Sequence, residues 1–213
     1  MRVGRDARIR DAAAARSAAR REAHLRSAGL SDRAALASAS WQAGLLVPRL
    51  FLFRHAKSSW KDPGQADHDR PLAGRGRRAA KAVARHLREE RIEPELVLCS
   101  TARRARETLE RVEPALGVAD VWFEPALYGA SAGALLERLH DVPDHVGSVM
   151  LIGHNPGLQE LALELAHTGP ELHELAAKFP TAALATLELP DWRAIRPGTA
   201  DLVGFVRPRD LIP

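Results

Sequence analysis

From residue 49 onward, short apolar runs alternate with stretches whose apolar residues recur at helical spacing. Leu50-Phe51-Leu52-Phe53 reads as a buried strand over 49–54. Leu96-Val97-Leu98-Cys99 and Val149-Met150-Leu151-Ile152 give two more, over 95–100 and 147–152. Ala79, Ala80, Val83, Ala84 and Leu87 make one stripe of a helix over 75–91, and Leu158, Leu161, Ala162 and Leu165 make another over 157–167. Helices are also expected over 102–116 and 131–140, and a short strand over 120–123. Two last strands follow, over 182–189 and 200–206, with Trp192 and Pro197 between them. A loop rich in Asp, Gly and Pro runs from the first strand to about residue 73. This order predicts an α/β three-layer sandwich, a mostly parallel central sheet flanked by helices on both faces. The last two strands are expected to pair as an antiparallel edge.

Charge divides the chain in two. Residues 1–48 hold nine arginines against four acidic residues, a net of +5. Residues 49–213 hold 22 Lys and Arg against 23 Asp and Glu, a net of −1. The pI of about 9.8 therefore comes from the N-terminal part. Residues 1–48 are expected to be an Arg/Ala-rich extension, flexible or partly helical, ahead of one domain over 49–213. The near-neutral domain has no aromatic stacking pattern, so its core is not expected to bind nucleic acid. No run of eighteen apolar residues occurs, so no membrane span is expected, and no early apolar segment suggests a signal peptide. The one cysteine, Cys99, ends a predicted buried strand and reads as a small core residue. A cytoplasmic location fits this usage.

Candidate chemistry lies where the strands end. The first strand runs into Arg54-His55-Ala56, and the strand over 147–152 into Gly153-His154-Asn155-Pro156-Gly157. In parallel sheets, ligands sit at the carboxyl ends of strands. The strand over 95–100 runs into Ser100-Thr101, a pair able to cap a helix, and that helix opens with Arg103, Arg104 and Arg106. Arginine is disfavoured at a helix N-terminus and anions are favoured there, so a bound anion would account for it. At least two of the three arginines are expected to point to solvent, with Arg103 a bystander. No G-x-x-x-x-G-K-[ST] sequence, H-E-x-x-H arrangement or paired cysteines occur, so neither a nucleotide phosphate loop nor a metal site is indicated, and no cofactor is implied. His24, His86, His140, His167 and His173 read as surface residues.

The ordered set Leu52 to Trp60, Asp67-His68-Asp69-Arg70-Pro71-Leu72, Ser100 to Thr108, Leu127 to Ser131 and Ile152 to Gly157 resembles the histidine phosphatase superfamily, and within it the SixA-like phosphohistidine phosphatase group. Lys178-Phe179-Pro180-Thr181 and Phe205 to Arg209 are similar to that group too. The resemblance runs from about residue 48 to the end. It implies the histidine phosphatase, phosphoglycerate mutase-like fold. It also implies a metal-independent phosphatase in which His55 attacks phosphorus and Arg54, Arg104 and His154 complete the phosphate pocket. Arg70, Ser58 and Lys61 are further candidates to contact substrate.

Two departures bear on the substrate. Ala56 stands where the wider superfamily has the glycine of Arg-His-Gly. Tyr128 stands where its mutases and many phosphomonoesterases have a glutamate general acid, with Glu124 near but offset. An alkoxide leaving group needs a strong acid, and an imidazole leaving from an N–P bond needs less. The sequence thus favours a phosphatase that hydrolyses phosphohistidine on a protein, such as a phosphorelay domain. Glu124, Asp67 and Asp69 remain possible proton sources. The alternative is a phosphomonoesterase acting on a small phosphorylated molecule of the same superfamily; a non-catalytic phosphoprotein-binding module fits less well. A chain shortened to begin near Leu46 is expected to fold and keep its turnover rate. Loss of soluble, active protein on that truncation would show the extension to be part of the core.

Overall fold

The computed structural model describes residues 47–212. The expected extension, residues 1–48, lies almost wholly outside them. Seven strands form one sheet: β1 (Arg49–Arg54), β2 (Leu96–Ser100), β3 (Asp120–Glu124), β4 (Ser148–Gly153), β5 (Ala166–Thr168), β6 (Leu184–Glu188) and β7 (Ala200–Val206), in the order β3-β2-β4-β1-β6-β7-β5. The helices are α1 (Gly74–Glu89), α2 (Arg103–Val112), α3 (Ala132–His140), α4 (Gly157–Leu165), α5 (Leu172–Ala177) and α6 (Pro208–Leu211). β3, β2, β4 and β1 pair in parallel, while β6 runs antiparallel to both β1 and β7.

Side chains alternate across a strand, and that alternation separates two cores. Leu50 and Leu52 of β1 join Leu96, Leu98, Val149 and Leu151 on one face, under α3, α4 and α5 through Leu135, Leu139, Leu158, Leu161 and Leu175. Phe51 and Phe53 join Val97, Cys99, Met150 and Ile152 on the other, under α1 and α2 through Val83, Leu87, Leu109 and Val112. The predicted three-layer sandwich with a mostly parallel sheet is the observed one.

The differences from the predicted elements have local causes. α2 stops at Val112, and a 3₁₀ turn, Glu113–Ala115, follows. Pro114 lies in that turn and offers no backbone N–H to continue the α pattern. α4 ends at Leu165, the last residue of its apolar stripe. Ala166–Thr168 then pairs in parallel with β7 as the sheet's outermost strand. The last two strands are therefore not an edge: β6 sits inside the sheet against β1, and β7 is flanked by β5. The short helices α5 and α6 were not legible in the periodicity.

β1 and β4 are neighbours, and the helices that follow them, α1 and α4, cover opposite faces. The crevice at their carboxyl ends is the position where such folds bind ligands. Two glycines allow close packing around it. A Cβ on Gly76 would collide with the Lys57 carbonyl, and one on Gly157 with the Ala130 carbonyl. Gly76→Ala should strain the loop after β1 by roughly 1–3 kcal/mol, lowering the melting temperature by about 2–12 °C. An unchanged melting temperature would show that the loop yields without cost.

Candidate active site

The β1–β4 ladder continues one residue past β1, through the His55 amide on the Gly153 carbonyl at 3.1 Å. This brings the two strand-end histidines together, with ring centroids 4.9 Å apart. His55, His154, Arg70 and Arg104 are all buried, and Arg54 is half-buried.

Neighbours fix the tautomer of each ring. His55 Nδ1–H donates to the Ala56 carbonyl at 2.8 Å, because a carbonyl can only accept. The lone pair is therefore on Nε2, which accepts Arg104 Nε–H at 3.1 Å. His154 Nε2–H donates to Ser100 Oγ at 2.8 Å, and its Nδ1 faces Arg104 Nη2 at 3.4 Å. Burial, with the nearby positive groups, lowers the pKa of His55 to about 3 and that of His154 to about 4. Both rings are neutral at physiological pH, so His154 in this state supplies no charge of its own.

Arg54 donates Nη1–H to the Phe179 carbonyl at 2.6 Å, and Asn155 Nδ2 shares that carbonyl at 3.2 Å. Arg104 donates to the Asp67 carbonyl from Nη1 at 2.6 Å and to Asp67 Oδ2 from Nη2 at 2.9 Å. Arg70 pairs with Asp67 Oδ1 at 3.0 Å and with Ser58 Oγ at 3.2 Å. Its guanidinium carbon lies 3.3 Å from the ring centroid of Trp60. Arg54 Nε and Arg70 Nε are buried and find no acceptor among the protein's atoms. Three guanidiniums against the one carboxylate of Asp67 leave two net positive charges in the crevice.

The structure thus brings Arg54, His55, Arg70, Arg104 and His154 into one crevice, with Ser58 behind Arg70. Lys61 is not brought in. It is exposed on the loop, and what fixes it there is its backbone N–H on Ser59 Oγ at 3.2 Å. Arg103 and Arg106 point outward, Arg103 onto Glu107 at 2.7 Å and Arg106 over the Phe123 ring. Neither Ser100 nor Thr101 caps α2, whose N-cap is Ala102. Ser100 Oγ instead accepts the Ala102 N–H and the His154 N–H. His140, expected at the surface, is half-buried on the Ile195 carbonyl at 2.9 Å.

Several positioning residues escaped the sequence reading. Thr108 Oγ1 accepts the Ala56 N–H at 3.0 Å and donates to the Arg104 carbonyl at 2.6 Å, so it ties the loop that carries His55 to the helix that carries Arg104. Glu107 accepts the Leu72 N–H at 2.8 Å and anchors the Asp-Arg-Pro-Leu segment. His68 lies edge-on to Tyr128 and within 3.1 Å of Thr101 Oγ1. The one available signal was their place within the matching stretches.

The possible proton sources are all engaged. Tyr128 donates its hydroxyl to Asp67 Oδ2 at 2.7 Å. That bond, with Arg104 and Arg70, holds the Asp67 carboxyl below its usual range, and it raises the pKa of Tyr128. Glu124 is clamped by Arg138 at 2.7–3.0 Å, and Asp69 sits beside His68 at 3.3 Å. Among the described residues, no group of three or more His, Cys, Asp or Glu is arranged to hold a metal ion, and no helix is long and apolar enough to cross a membrane.

A family profile, "Histidine phosphatase superfamily (branch 1)", matches residues 50–145. An uncharacterized protein of Mycobacterium tuberculosis is 41% identical over 162 residues, covering 73% of this chain and 99% of that one. SixA of Agrobacterium tumefaciens, provisionally assigned as a phosphohistidine phosphatase, is 32% identical, with a TM-score of 0.65 over 76% of this chain and 98% of its own. The protein histidine phosphatase SixA, solved with tungstate, is 27% identical, with a TM-score of 0.64 over 76% of this chain and 99% of its own. The chain belongs to the histidine phosphatase superfamily, whose members include hydrolases acting on phosphoryl groups.

The two buried neutral histidines give the fold a pH dependence. In the unfolded chain both titrate near 6.5. Below that pH the unfolded state binds protons that the native state refuses. Their contribution is therefore whole above pH 6.5 and is lost as pH falls toward the folded values of about 4 and 3. The slope should approach about 1.4 kcal/mol per pH unit for each histidine. Melting temperatures from pH 7 to pH 5 should fall accordingly, and His154→Gln should remove part of the slope. A flat profile would show that these rings are not buried as neutral groups.

Proposed function

We propose that this protein is a phosphatase that hydrolyses phosphohistidine on a protein, through a covalent phosphohistidine on His55. The observation that carries this reading is the pairing of Tyr128 with an ionised Asp67 at the crevice mouth. Asp67 is held ionised and Tyr128 has committed its proton to it, so neither group is placed to protonate an alkoxide. An imidazole leaving from an N–P bond does not require such an acid.

The rest of the site suits the reaction. His55 Nε2 carries its lone pair at the floor of the crevice, and histidine is an established covalent nucleophile. As the phosphoryl group enters, Arg104 Nε–H can turn from that lone pair to an equatorial oxygen. Arg54, Arg70 and Arg104 then match the charge of a phosphoryl dianion, which is most of what phosphoryl transfer asks of a protein. Trp60 (69%) and Tyr128 (38%) are exposed at the mouth, an open rim that suits a macromolecular substrate such as a phosphorelay domain. The tungstate bound to the SixA relative is a tetrahedral oxyanion like phosphate.

The test compares a histidine-phosphorylated protein with a panel of phosphate esters. The phosphohistidine protein should be the better substrate, and preference for any alkyl ester would overturn the reading. His55→Ala should abolish turnover and the acid-labile, base-stable ³²P label on the enzyme, while the arginines still bind vanadate. His154→Ala should slow turnover about 10²–10³-fold, the usual cost of one transition-state donor, with slow label still on His55. A label mapping to His154 would reverse the two roles.

A further inference from the structure

Asp67 is the point where the buried charge network reaches solvent. Its side chain is 50% exposed, whereas the Arg70 and Arg104 side chains it joins are each 8% exposed. A carboxylate oxygen has two acceptor sites. Oδ2 fills both, with Arg104 Nη2 at 2.9 Å and the Tyr128 hydroxyl at 2.7 Å. Oδ1 is ion-paired at 3.0 Å with Arg70 Nη2, whose hydrogen bond goes to Ser58 Oγ, so Oδ1 keeps acceptor capacity open.

In-line displacement sends the leaving group away from the nucleophile. With His55 buried at the floor, that direction is the mouth, where Asp67 lies one guanidinium's width beyond His55 Nε2. A carboxylate there repels the negative charge growing on a departing alkoxide. It attracts an N–H. We infer that Asp67 accepts the far ring N–H of the substrate's phosphorylated imidazole, and so selects a protonated N–P leaving group. This rests on the phosphohistidine reading above.

The step balances without an enzyme acid. The phosphorylated imidazole takes a proton from solvent on its far nitrogen, where the Oδ1 site receives that N–H. The His55 Nε2 lone pair forms the new N–P bond. The old P–N bond breaks with its electron pair going to the ring nitrogen. The product departs as neutral imidazole, still carrying the far N–H. Asp67 keeps its charge throughout and does not donate a proton.

The experiment uses the full chain, a protein phosphorylated on histidine with phosphoramidate, and p-nitrophenyl phosphate, whose phenolate leaves without a proton. For the wild type, the alkaline limb of kcat with the phosphohistidine protein should lie above the ring pKa of that substrate free in solution, measured by NMR titration. A limb at or below the free value overturns the inference, whatever the variants do. In Asp67→Asn, the ratio of kcat/KM for phosphohistidine to that for p-nitrophenyl phosphate should fall roughly 10–100-fold, the worth of one charge-assisted hydrogen bond, and the limb should move to lower pH. Equal losses on both substrates with an unmoved limb would mean that Asp67 only positions Arg104. A wild type that cleaves p-nitrophenyl phosphate but not phosphohistidine would instead refute the functional reading itself.

Discussion

Crowding of positive charge at the end of β1 and β4 is the constraint around which the rest is arranged. Arg54, Arg70 and Arg104 share one crevice with two imidazoles, and burial strips Arg70, Arg104 and both rings of most of their water. Such a cluster is tolerable only when every guanidinium has partners. Backbone carbonyls of Asp67 and Phe179, the Ser58 hydroxyl, the Trp60 face and the Asp67 carboxylate supply them. Burial, with that field as a lesser contribution, keeps both histidines neutral. The free lone pair on His55 Nε2 thus comes chiefly from burial and sits beside the clustered guanidiniums.

Positioning of that cluster is distributed over the fold. Strand ends deliver Arg54, His55 and His154, the first turn of α2 delivers Arg104, and the 3₁₀ turn Asp67–Asp69 delivers the counter-charge. Thr108 and Glu107, one turn and less beyond Arg104, tie the loop after β1 and the Asp-Arg-Pro-Leu segment to that helix. A shift of α2 therefore moves the His55 loop, Arg104 and the Asp-Arg-Pro-Leu segment together.

What was legible in the sequence follows the same division. Strand ends announce themselves, because an apolar run stopping at Arg-His or Gly-His fixes both the element and the rim it faces. The two-sided sheet was legible in the alternation of β1 and the stripes of α1 and α4. The contact between Tyr128 and Asp67 spans 61 residues and depends on how two loops meet, which no local period records. Lys61 looked suitable by residue type and lies outside the crevice, since a surface loop sets direction by its own turns. β5 was hidden because its three residues continue directly from a helical stripe.

The two cores on either side of the sheet have a further consequence. His55 and Arg104 are held by segments packed into the core beneath α1 and α2, whereas His154 leads into α4, rooted in the opposite core. The crevice is therefore flanked by both cores, with the two histidines carried on adjacent hydrogen-bonded strands of the sheet between them. A sub-ångström shift of α2 over the sheet would move Arg104 away from the two rings while leaving the core's buried area almost intact. On warming, the alignment of Arg104 with the two rings should thus fade ahead of cooperative unfolding.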